Sequence, residues 1–233
     1  MAILPSLRDK HAAIINRIQT SAESVGRNPN EIKLVAVTKG FAIGIWQQAL
    51  KESLTCVGES RVLETEIKSQ QFPFRDRIEL HLIGHLQSNK ARKAVHLFDV
   101  IQTVDSIKLA KRINSISIEK NKRQRIFIQV NTGNDPQKQG FSIQDVEAGI
   151  KTISKLENLI IEGIMTIPPN GLGKNDIRNI YAETRKIHDN IKRNITATCK
   201  YLSMGMSNDF EIAITEGATH IRVGTALFGE RPI

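Results

Sequence analysis

Residues 201–229 read YLSMGMSNDFEIAITEGATHIRVGTALFG, two short apolar runs joined by a polar turn and an amphipathic stretch. YLSMGM (201–206) and HIRVGTALFG (220–229) have the length and apolar content of buried strands. Asp209 stands where a helix N-cap belongs, just before the periodic run between them. Strand, helix, strand in under 30 residues is the βαβ unit of a parallel sheet. The same alternation extends outward to the start of the chain. Strand-like runs occur at IKLVAVTK (32–39), LTCVGES (54–60), IELHLIG (78–84), VIQTVD (100–105), RIFIQVN (125–131) and LIIEGIMTI (159–167). Helical periodicity fills the gaps, with Ser88, Ser106, Ser142 and Asn175 as further candidate N-caps. Eight such units in 233 residues predict an α/β chain folded as one (β/α)8 barrel over 1–233, preceded by a helix over 6–24. A doubly wound open sheet is the alternative.

Composition narrows the function classes. Hydrophobic residues make up 40% and charged residues 24%, enough to bury a core without disulfides or a structural metal. The two cysteines, Cys56 and Cys199, sit far apart with no CxxC, so no zinc module or redox pair is expected. No run approaches the roughly 20 apolar residues of a membrane span. The start, MAILPSLRDK, lacks the pattern of a secretory signal, so a cytoplasmic protein is expected. The net charge of +9 attracts anions, including nucleic acid, but aromatics are only 5%, which leaves few stacking platforms. The mononucleotide and dinucleotide glycine loops and the serine-hydrolase elbow are all missing.

In a barrel the chemistry collects where strands end and βα loops begin. Lys39 ends the first run and shares a face with Val35 and Val37 by strand alternation. On an apolar floor its amine is a nucleophile toward aldehydes; past the strand end it is a lysine reaching for solvent. Arg222 sits within the last run, and a buried guanidinium requires partners: structural acceptors or a ligand. Gly224 and Thr225 follow it, and Ser203-Met204-Gly205-Met206-Ser207 ends the seventh run. The loops after strands seven and eight are the frequent phosphate site of such barrels. His81 and His85 share a face with Ile83 but read as hydrogen-bonded structural histidines. Phosphate without a nucleotide loop, plus an aldehyde-reactive lysine, points to pyridoxal 5′-phosphate or a sugar phosphate.

LVAVTK, GESRVLE, HLIGHLQSNK, GIMTIP and the 201–229 stretch together resemble the pyridoxal-phosphate homeostasis proteins, whose fold is similar to the barrel domain of bacterial alanine racemases. The resemblance implies that Lys39 forms an internal aldimine with pyridoxal 5′-phosphate. It implies that Ser207, Gly224 and Thr225, next to Ser203, Met204 and Gly205, hold the phosphate, and that Arg222 faces the pyridine nitrogen. Ser60, His81, Ile83 and Met165 line the pocket in that reading, and Lys138 lies near it as a second acceptor. Ser60 and Leu63 replace the Asn and Gln of the family's GEN-x-x-Q-E pattern, and Lys39-Gly40-Phe41 lacks the lysine-proline that often follows the family's Schiff-base lysine. An arginine at the pyridine nitrogen weakens the electron sink, and only four residues follow Gly229, so no racemase second domain is expected. The implied role is buffering of pyridoxal 5′-phosphate and delivery to apo-enzymes, by a monomer without metal, membrane or nucleic-acid partners. A small racemase and a nucleic-acid docking module are the rival readings.

Overall fold

The structure, a computed structural model, describes residues 5–231. Helix α1 (Leu7–Glu23) comes first, opened by Ser6, whose hydroxyl accepts from Asp9 N while Asp9 returns the bond in a capping box. Eight strands follow: β1 (Lys33–Val37), β2 (Cys56–Glu59), β3 (Glu79–Leu82), β4 (Val100–Val104), β5 (Gln124–Gln129), β6 (Leu159–Met165), β7 (Tyr201–Met206) and β8 (His220–Val223). They pair in chain order, all parallel, and β8 closes on β1, so the open-sheet alternative is set aside. The connecting helices are α2 (Gly44–Lys51), α3 (Val62–Gln71), α4 (Ala91–Leu97), α5 (Ile107–Glu119), α6 (Val146–Ile153), α7 (Lys174–Asn194) and α8 (Phe210–Thr215).

Burial on both faces explains why the strands read as continuous apolar runs rather than alternating ones. Outward-facing Ala36, Val57, Leu80, Ile101, Ile126 and Ile164 pack under the helices in one continuous core. Inside the barrel a smaller cluster of Val100, Phe127 and Met165, capped by Ile167, fills the centre. The interior is therefore a packed plug, and a ligand is confined to its C-terminal mouth. Helix α1 packs against α8 and the last short helix.

Two expectations change. The run at 220–229 is not one strand: the ladder stops at Val223, and Leu227 N and Phe228 N both turn back to Gly224 O at 2.9 Å, coiling Thr225–Phe228 into α9. Of the candidate N-caps, Ser106 caps α5 by accepting from Leu109 N, whereas Ser142 accepts from Asp145 N in a turn ahead of α6, whose cap position is Asp145. Ser88 opens a 3-10 turn instead, and Asn175 lies inside α7, whose first residue follows Gly173.

Candidate functional site

The C-terminal mouth holds a cavity of about 400 Å³, within the range that takes a small cofactor. Lys39, Ile83, Ser207, Arg222, Gly224 and Thr225 share its lining. Lys39 lies just past the end of β1, Arg222 on β8 and Ser207 just past the end of β7, so the amine, the guanidinium and the hydroxyl come from three neighbouring staves.

Each is held by its own local structure. Arg222, 4% exposed, donates through Nη1 to Ser203 Oγ and through Nη2 to Thr166 O, both at 2.8 Å. No carboxylate of the described residues lies within ion-pair distance of it. Arg222 is thus anchored by structural acceptors while its side chain also lines the cavity. Ser203 passes the bond on: its hydroxyl donates to Gln102 Oε1 at 2.7 Å, and Gln102 Nε2 meets His81 Nδ1 at 2.7 Å. Ser207 Oγ accepts from Ala226 N at 3.3 Å, tying the β7 loop to the first turn of α9. The turn that presents Ser207 is closed by Asp209, whose Oδ1 accepts from Met206 N at 2.6 Å.

Burial pulls the Lys39 amine below the ordinary lysine value, and the positive charges of Arg231, Arg222 and Lys138 pull the same way. Glu59 opposes them. A larger share of the amine is neutral near physiological pH than for a free lysine, which is the state a nucleophile needs. Lys138, the smallest of these contributions, does not itself line the cavity.

The other expected pocket residues lie elsewhere. Met204 and Gly205 face α8: Met204 belongs to the outer core, and a Cβ on Gly205 would sit 2.5 Å from Ala213 Cβ. A register shift between Ser203 and Met206 causes this, because the bulge puts both intervening residues outside and returns Met206 to the mouth. Met165 is part of the packed plug beneath the cavity floor. Ser60 packs against Gly84 and is not part of the cavity lining. His81, wholly buried, sits a layer lower, with Nε2 3.4 Å from Glu79 Oε2. Conversely, the segment 167–172 forms a cavity wall together with Asn208 and Arg231. Its position after the sixth strand was the available signal; its Pro/Gly content reads only as a connection.

At the opposite mouth the sheet register sets Cys56 beside Glu79, and with His81 they form a trio of ligand-type atoms within 4.8 Å. Sequence spacing gave no sign of it, because the ladder and not the chain makes the neighbours. Glu79 is already paired with Lys33 at 2.7 Å and Arg125 at 2.6 Å. Burial pushes the Cys56 thiol up, away from the thiolate a metal needs. The trio is a charge-compensated barrel floor.

A closed parallel barrel with an amine-and-hydroxyl pocket at its C-terminal mouth defines the class, and the comparisons agree. The family model described as "Alanine racemase, N-terminal domain" matches residues 10–232. An alanine racemase of Clostridium difficile 630 superposes with a TM-score of 0.74 at 17% identity, covering 97% of this chain and 58% of that one, a likeness of fold. Closer in sequence is the pyridoxal phosphate homeostasis protein of Aquifex aeolicus, 34% identical over 96% of this chain and 97% of its own. That of Synechocystis sp. is 36% identical over 90% of this chain and 96% of its own. PipY of Synechococcus elongatus, solved with PLP bound, has a TM-score of 0.85 at 33% identity, covering 96% of this chain and 100% of that one. The chain belongs to the pyridoxal phosphate homeostasis proteins.

Proposed function

We propose that this chain binds pyridoxal 5′-phosphate through a Schiff base on Lys39 and acts in its homeostasis, holding the cofactor and releasing it to apo-enzymes without amino-acid turnover. The observation that carries the reading is the shared lining of one cavity by Lys39, Arg222, Ser207 and Thr225. The donor set fits the group. A partly neutral amine suits an aldehyde, and the two hydroxyls of Ser207 and Thr225 beside the first turn of α9 suit a phosphate. Arg222 lines the same cavity.

Pyridoxal phosphate, when bound to an enzyme, drains electrons from a substrate carbon into its protonated ring. Here the group offered to that ring is a guanidinium, permanently cationic and lacking a carboxylate, which opposes protonation of the ring nitrogen. Racemisation also needs a second proton carrier on the opposite face. Among the described residues that line the cavity only Asp209 carries a carboxylate, and it is engaged with Met206 N. These two features support binding over turnover. Among the described residues no helix is long and apolar enough to cross a membrane.

The decisive experiment is an absorption spectrum of the protein mixed with pyridoxal phosphate, followed by borohydride reduction and peptide mapping. A yellow species trapped on Lys39 is the expected result, and a colourless protein or a label elsewhere overturns the reading. Long incubation with L-amino acids should yield neither D-enantiomers nor keto acids; steady accumulation of either makes it an enzyme.

A further inference from the structure

Beneath the end of β1 lies a buried ionic cluster that the pocket chemistry does not use. Lys68 on α3 and Glu59 at the end of β2 have side chains only 5% and 0% exposed. The Lys68 ammonium donates to Glu59 Oε1 at 2.8 Å and to the carbonyl of Thr38 at 3.2 Å. It also lies 2.8 Å from Oε1 of Glu64, one turn earlier on its own helix. Glu64 Oε1 accepts the N–H of Gly40 at 3.0 Å. Glu59 Oε1 is completed by the Thr38 hydroxyl at 2.7 Å and the Trp46 indole N–H at 3.1 Å.

Thr38 C=O and Gly40 N–H belong to the two peptide groups that flank Lys39. Both are held by groups converging on one ammonium. The placement matters because the strand does not supply it: β1 ends at Val37, and Gly40 has a left-handed φ of +77°, so the chain is already turning at Lys39. A buried ion pair is a poor device for stability, since desolvation offsets most of its attraction and an apolar pair of equal volume serves a core as well. An apolar pair could not hold a carbonyl and an amide on either side of one residue. The cost is visible in Glu59, whose second oxygen, Oε2, is buried without a partner.

We propose that Lys68 is a positioning residue, whose ammonium, with Glu59 and Glu64, fixes both peptide groups around Lys39 and so aims the Lys39 side chain into the cavity. The inference rests on Lys39 being the amine that receives the aldehyde. In that condensation Lys39 Nζ bonds to the aldehyde carbon, the carbonyl oxygen leaves as one water, and a C=N bond results. Its rate depends on where the amine is held, and a displacement of about 1 Å costs roughly 10–100-fold.

Two variants test this. The double variant Glu59→Gln/Lys68→Met removes both buried charges together, so neither is stranded. Glu64→Ala frees the Gly40 amide at a side chain that is 26% exposed, where the cost to folding is small. Both are mixed with pyridoxal phosphate and the growth of the Schiff-base absorption is timed. A second readout needs no cofactor: acetylation of Lys39 relative to the other lysines, measured by mass spectrometry. The expected result is slowing of roughly 10–100-fold in the double variant and several-fold in Glu64→Ala, with thermal unfolding of Glu64→Ala at the parent temperature. In both, acetylation of Lys39 should approach that of the exposed lysines. Parent rates and parent labelling in folded variants overturn the proposal. If the double variant does not fold, Glu64→Ala decides by the same criteria. A parent protein that forms no Schiff base overturns the proposed function, and the labelling pattern then decides the clamp by itself.

Discussion

At the scale of single residues, the proposed chemistry depends on one amine and what surrounds it. Lys39→Ala is expected to abolish the borohydride-trapped adduct while leaving thermal unfolding unchanged, since a half-buried lysine at a strand end contributes little packing. Mass spectrometry of the reduced protein and a melting curve check both halves. The pH dependence has a definite sign. Burial and the neighbouring cations lower the amine from its usual 10.5, so the rate of adduct formation should rise with pH and level off with a midpoint below 10.5. Arg231→Ala or Lys138→Ala removes a repelling charge and should move that midpoint upward. A midpoint at the free-lysine value in the parent protein contradicts the electrostatic account. His81 shows the opposite lesson. It stands within the expected strand, but its ring turns to Gln102 and Glu79 and supports Arg222 through Ser203 without reaching the cavity.

At the scale of the element, the bulge in β7 decides which side chains reach the mouth. Gly205 carries it: φ is +92°, and a Cβ there would lie 2.5 Å from Ala213 Cβ and 2.9 Å from Phe210 Cα. Gly205→Ala should therefore cost roughly 2–5 kcal/mol, combining the left-handed strain of an L-residue with overpacking against α8. Pushing α8 outward also moves the 206–209 turn, so the same variant should bind pyridoxal phosphate more weakly than the parent protein does, with its affinity for pyridoxal nearly unchanged. Chemical denaturation and a titration with the two vitamers measure each effect. Unchanged stability would show that α8 gives way freely.

At the scale of the whole molecule, the barrel has a charged floor and a cavity at the opposite mouth, separated by the plug of Val100, Phe127 and Met165. The floor makes the fold acid-sensitive in two stages. His81 and His220 are buried, and desolvation lowers both from the usual 6.5. The unfolded chain takes up those protons first, so stability falls as pH drops through about 6.5. Glu79 is held well below the ordinary carboxylate range by the His81 ring N–H and by Lys33 and Arg125, against its own burial. At 3.4 Å the histidine contact is long, and the two ion pairs at 2.7 and 2.6 Å carry more of the effect. Its contribution is present above the unfolded carboxyl value and is lost as pH falls below it, giving a second decline below about pH 4.5. Glu59, raised by burial, works in the other direction but is one group against three. Melting temperatures at pH 7, 5.5 and 4 should fall in that order; a flat profile removes the floor as a stability element.

Residue order alone determined the stave count, the alternation with helices and the strand ends that carry Lys39, Arg222, Ser207 and Thr225. Those features are local: apolar run length, helical period and caps are written within a dozen neighbouring residues. Tertiary structure decided what is made by the ladder. The bulge that turns Met204 and Gly205 outward, the Cys56–Glu79–His81 floor, the wall formed by 167–172 and the Lys68 cluster under Lys39 all join residues that are distant along the chain or set by register. A strand's period says which residues share a face, but only closure of the ring and the shift within β7 say which face looks into the cavity and how far along it each side chain stands.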